Sequence, residues 1–111
     1  MDEREFKSEF PELIRRFANY KEVVQGCSTK TVTEYLFDLR TFSKYLLAER
    51  NSLPLEGEEF EKIDITGLDT EFFASVTSTE VYSFLSYVKN ERENKTDARA
   101  RKLSAIKQFY K

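Results

Sequence analysis

Two stretches of this chain carry cations and hydroxyls at helical spacing. In the first, Lys30, Thr31, Thr33, Arg40 and Lys44 recur across residues 28–47. In the second, Thr96, Arg99, Arg101, Lys102, Ser104, Lys107 and Gln108 recur across residues 96–111. Lysine and arginine neutralise phosphates, while hydroxyl and amide groups reach phosphate oxygens or base edges. Arginine adds a planar fork that suits bidentate phosphate or guanine contacts better than lysine does. The chemistry open to these residues is anion recognition rather than bond making. In an arbitrary helical protein, however, a charged face is usually only solvated.

Groups that make and break bonds are missing. The chain has no histidine, which removes the commonest general base and metal ligand together. Its one cysteine, Cys27, leaves no intramolecular disulfide framework and fits a reducing cytoplasm. Free cysteine packs as a small hydrophobe, and Cys27 reads as such a residue before a helix cap. Paired Cys/His sites, Ser-His triads and glycine-rich phosphate loops are absent. The sequence therefore asks for no catalytic residue, no metal and no cofactor, and the chain does not read as an enzyme. No apolar run approaches the roughly 20 residues that a membrane-spanning helix needs. The charged start, MDEREFKSEF, is no signal peptide. A soluble, cytoplasmic protein without a membrane partner is expected.

The formal net charge of −2 hides an asymmetry. Between Asn51 and Val76 the acids Glu56, Glu58, Glu59, Glu61, Asp64, Asp69 and Glu71 face Lys62 alone. From Lys95 onward, Lys95, Arg99, Arg101, Lys102, Lys107 and Lys111 face only Asp97. The carboxy-terminal segment is a basic element in an otherwise acidic protein.

Helices must position these groups. At 111 residues the chain fits one domain with a single core, and its scarce glycine and proline argue against a sandwich or barrel. Residues 28–50 form the central amphipathic helix, capped by Ser28, with Val32, Tyr35, Leu36, Leu39, Phe42, Ser43 and Leu46 on one face. Its far face mixes cations and hydroxyls with Phe37, a large aromatic that a purely solvated face rarely carries. A helix over 11–25 starts at Pro11 and stops at Gly26, with Leu13, Ile14, Phe17, Tyr20 and Val24 as its stripe. A third, over 78–92, opens on a Thr77–Glu80 capping box and buries Val81, Phe84, Leu85 and Val88. The fourth, over 96–111, is capped by Thr96 and buries Leu103, Ile106, Phe109 and Tyr110. Residues 51–76 read as a long acidic connection, with Phe72 or Phe73 pinned to the core and a helical turn near 69–74. The last helix is still periodic at Lys111, so the chain is expected to be a fragment.

Two strings then carry a resemblance. Ser28-x-x-Thr31-x-x-x-Tyr35-x-x-Asp38-Leu39-x-x-Phe42-x-x-Tyr45-Leu46 resembles the second helix of the amino-terminal core-binding domain of tyrosine recombinases, the phage-integrase and Xer-like enzymes. Thr96-x-x-Arg99-Ala100-Arg101-Lys102-Leu103-Ser104-Ala105-Ile106-Lys107-Gln108-Phe109-Tyr110 resembles the last helix of that domain, which in the family reads roughly ARKLSALRSFY. Each string is degenerate alone, but their order and spacing together are much more specific. The resemblance covers about residues 8 to 111. It implies an all-α, SAM-like four-helix bundle, followed in the parent protein by a carboxy-terminal catalytic domain that carries a tyrosine nucleophile. The two domains would clamp duplex DNA alongside sister recombinase protomers. Tyr110 is not that nucleophile, since it lies within the core-binding string. The 51–76 connection is longer than in compact Xer proteins.

The resemblance turns the two cationic faces from solvated surface into candidate DNA contacts, with the acidic connection held away from them. Phe37 could then pack on a DNA sugar or thymine methyl, on the catalytic domain, or on the long connection. The competing reading is a helical protein–protein interaction module without a nucleic-acid role, for which a basic carboxy-terminal segment has no use. The expected core is Leu13, Ile14, Phe17, Val32, Tyr35, Leu39, Phe42, Leu46, Val81, Phe84, Leu85, Leu103 and Ile106.

Overall fold

The computed structural model describes residues 6–92 and 96–110, and the side chains of that range apart from 91–92 and 96–98. Among the described residues the fold is all-helical, without a strand. Its α-helices are α1 (Glu12–Val23), α2 (Thr29–Arg50), α3 (Gly57–Glu61), α4 (Thr70–Ala74), α5 (Ser78–Tyr87) and α6 (Thr96–Phe109). A π-helical turn, Val88–Arg92, follows α5 within the helix expected over 78–92. The α3 helix lies inside the segment read as connection, and α4 falls on the expected turn near 69–74.

Local hydrogen bonding sets the helix ends. Gly26 takes the left-handed conformation at φ +66° after α1, which glycine adopts without a Cβ clash. Ser28 Oγ then accepts from the Thr31 amide at 3.2 Å and starts α2. At α5 the capping box is complete, with Thr77 Oγ1 accepting from Glu80 N and Glu80 Oε1 accepting from Thr77 N. Thr96 begins α6, and its side chain, read as the cap, lies outside the described ones.

The α2 helix runs through the middle and serves two apolar clusters. Val32, Leu36 and Leu39 pack with Phe10, Ile14, Ala18, Ile65 and Phe73. Phe42, Tyr45, Leu46 and Ala48 pack with Phe60, Phe84, Tyr87, Val88 and Ile106. Phe73 is buried, as expected for one of the Phe72–Phe73 pair. Phe60 and Ile65 are buried as well, so the 51–76 segment supplies core as well as connection. The Tyr87 hydroxyl donates to the Leu55 carbonyl at 2.6 Å, tying this segment to α5.

The α1 stripe departs from expectation. Ile14 and Ala18 are buried, whereas Leu13 and Phe17 are half-buried and Tyr20 and Val24 are exposed. Tyr35, Val81, Leu85 and Leu103 are likewise half-buried, at the rim of the clusters. The neighbouring elements cover α1 a quarter-turn away from its most apolar line.

Candidate nucleic-acid interface

The two cationic stretches do meet, since α6 packs along α2. They meet through an ion cluster that faces inward. Asp38 of α2 is 2% exposed. It accepts from Arg101 Nε and Nη2 and from Lys102 Nζ, each at 3.1 Å. A carboxylate moved out of water needs both charge and hydrogen bonds in return, and the cluster supplies both. Lys102 is therefore an internal cation, 6% exposed, and not the outward phosphate ligand that its spacing suggested. Arg101 keeps 43% of its side chain exposed while its fork is engaged by Asp38.

Lys44 is also corrected. It is 8% exposed, and its Nζ donates to the Glu61 carbonyl at 2.6 Å. Together with Glu9, Arg40 and Asp64 it borders a small surface hollow. The acidic segment thus lies against this part of α2 instead of away from it, because the buried ammonium takes a backbone carbonyl of that segment as its partner. Arg40 pairs with Glu9 at 3.4 Å and lies over the rings of Phe37 and Phe6, at 5.0 and 5.8 Å. Phe37 itself rests edge-on against Phe6 at 5.4 Å, a partner outside the alternatives expected for it. Gln108 accepts from Lys21 Nζ of α1 at 2.6 Å.

Lys30, Ser104 and Lys107 are exposed, and Thr31, Thr33 and Arg99 half-buried. Thr31 Oγ1 accepts from Ser28 Oγ at 3.0 Å within the cap. Two residues with structural leverage were not singled out as such in the sequence, Asp38 and Lys21. A signal existed for each, because both are charged residues set among apolar positions of an otherwise amphipathic helix.

Tyr110 is turned to an internal task. Its hydroxyl donates to the Phe73 carbonyl at 2.7 Å, and burial pushes its pKa up to about 12. Among the described residues no helix is long and apolar enough to cross a membrane.

No family model matches the chain, and no solved structure matches it. Curated proteins do. Over 101 residues, 91% of this chain, it is 35% identical to a protein of Caldanaerobacter subterraneus subsp. tengcongensis named tyrosine recombinase XerC. A protein of the same name from Syntrophus aciditrophicus is 33% identical over 90% of the chain. Another from Leptospira interrogans is 26% identical over 96% of it. The chain spans 28% of the length of each of these relatives. The similarity bears out the resemblance carried by the two helical strings and is consistent with an amino-terminal domain of a Xer-like recombinase.

Proposed function

We propose, from this likeness to Xer-like tyrosine recombinases, that the chain is a DNA-binding, core-binding domain. The observation that carries the proposal is the 35% identity over 91% of the chain to a protein named as a tyrosine recombinase. In this reading the domain holds one side of duplex DNA in the cytoplasm, and a carboxy-terminal catalytic domain of the parent protein performs strand exchange. Sister protomers assemble on the same DNA. The chain itself contributes grip and no catalysis.

The DNA-facing set is revised by burial. Lys30, Thr31 and Thr33 of α2 and Arg99, Arg101, Ser104 and Lys107 of α6 remain candidates, with Thr96 at the start of α6. Lys44, Lys102 and Gln108 act indirectly, since each is engaged inside the fold, and Arg40 is tied at the surface to Glu9. Arg101 can serve both roles. Lys102 also neutralises Asp38, so a phosphate can share the exposed edge of the Arg101 guanidinium.

A salt series tests the proposal. Binding of the chain to a duplex should weaken with a log–log slope of about −0.9 for each phosphate neutralised. With a net charge of −2, binding by the chain alone should be weak and visible mainly at low salt. A flat salt response would favour the protein-interaction module instead.

A further inference from the structure

The stripe Leu13–Phe17–Tyr20–Val24 on α1 has no full cover, and a buried cation sits beside it. Lys21 is 5% exposed. Its Nζ donates to Gln25 Oε1 at 2.7 Å and to Gln108 Oε1 at 2.6 Å, with the Phe17 and Tyr35 rings at 5.7 and 5.9 Å. All four partners are neutral, and among the described residues no carboxylate pairs with it. An ammonium has three donors, and these contacts use two. Burying a charge is costly unless an anion answers it, so this site is electrostatically incomplete.

Lys21 lies on the wall of a groove of about 560 Å³ between α1, α4 and the end of α6. Leu13, Phe17, Phe73 and Phe109 make it apolar, and among the described residues its charged lining is Lys21 and Arg16, the latter paired with Glu12 at 2.7 Å. Tyr20, on the groove's wall, is 49% exposed, and the apolar surface continues beyond the groove at Val24, the residue after α1, which is 66% exposed. A small ligand confined to the groove would leave that surface wet, and a nucleic acid would gain little from it. A helix laid along the stripe covers both parts.

We propose that this groove docks an amphipathic helix of a partner protein, which sets one aspartate or glutamate on Lys21. Charge complementarity fixes the sign of the anchor, and the stripe on α1 fixes the apolar spacing it must match. The proposal is independent of the DNA-binding reading.

The test is an NMR titration of the chain, without DNA, by a set of short amphipathic helical peptides. Each carries glutamate, glutamine or lysine at the centre of a leucine face. Glutamate peptides should shift the signals of Phe17, Tyr20, Val24 and Gln108. Replacing the glutamate by glutamine should weaken binding roughly tenfold, the loss of one charge-assisted hydrogen bond. Lys21→Met should erase that preference, with circular dichroism reporting whether the variant folds. Val24→Ser, at an exposed site, should weaken every peptide and keeps the test open if Lys21→Met does not fold. Equal affinity for glutamate and lysine peptides, no binding by any of the set, or shifts elsewhere on the domain would overturn the proposal. So would a duplex oligonucleotide that competes with the peptides at Lys21.

Discussion

Asp38 in α2 and Arg101 in α6 stand 63 residues apart in the chain and are joined by two hydrogen bonds of 3.1 Å, one to each carboxylate oxygen. Lys102 adds a third donor from the next residue. The contact between the two helices that carry the recombinase-like strings therefore combines an ion cluster with apolar packing, in which Ile106 joins the cluster of Phe42. It orients α6, and with it the exposed Ser104 and Lys107, relative to Lys30 on α2.

Asp38→Asn should destabilise the domain by roughly 3–5 kcal/mol, because it leaves the ammonium of Lys102 buried without an anion. Arg101→Ala should cost clearly less, since its side chain is 43% exposed and Lys102 still answers the carboxylate. Urea denaturation of both variants measures the order. Arg101→Glu would set a second carboxylate against Asp38 and should unfold the domain. It is therefore unusable as a test of DNA contact.

Lys30→Glu combined with Lys107→Glu should abolish low-salt binding to a duplex while leaving the melting temperature nearly unchanged, as both residues are exposed. The control pair, Lys62→Glu and Lys89→Glu, should matter far less. Equal losses in an electrophoretic shift assay would mean diffuse electrostatics, and the docking of α6 on DNA would be dropped.

Phe60→Ala, within the segment first read as a connection, should cost roughly 3–5 kcal/mol, as truncation of a buried phenylalanine does. Leu39→Ala, in the other apolar cluster, should cost roughly 2–5 kcal/mol. A free linker would show no loss at Phe60, so the denaturation midpoint of this one variant decides whether 51–76 belongs to the folded unit.

Acid should weaken the domain through Glu80. Its hydrogen bond from Arg50, at 2.8 Å, and those from Thr77 hold its carboxyl below the usual glutamate value. A carboxyl with a depressed folded pKa contributes stability above its unfolded pKa and loses it as pH falls through the folded one. The wild-type chain should therefore lose stability below about pH 4 more steeply than Glu80→Gln, which has no such proton to take up. Denaturation midpoints across that range measure the difference.

Incubation with supercoiled DNA should yield neither nicks nor a covalent adduct. Burial pushes the Tyr110 phenol pKa up to about 12, and its hydroxyl is held on the Phe73 carbonyl. An adduct at Tyr110, seen by mass spectrometry, would place the nucleophile inside this chain and refute the division of labour proposed above.

The sequence by itself determined the four long helices and several of their ends, whereas the short α3 was hidden in the segment read as a connection. The Ser28 cap, the Thr77–Glu80 box and the Gly26 stop involve residues a few positions apart, so neighbouring types suffice to specify them. The same local periodicity fixed α2 as the central element and carried the likeness to tyrosine recombinases. What covers each helix face was decided only by the tertiary structure. Lys102 and Lys107 both read as cations of one basic helix, yet one is buried on Asp38 and the other faces solvent. Lys44 reads as outward-facing until the 51–76 segment folds back over it. Tyr20 and Val24 belong to the apolar stripe of the first helix, yet α4 and α6 leave them exposed. Helical spacing assigns a side chain to a face. Whether that face meets water, an anion or a neighbouring helix depends on residues tens of positions away, whose approach only the packed fold can bring about.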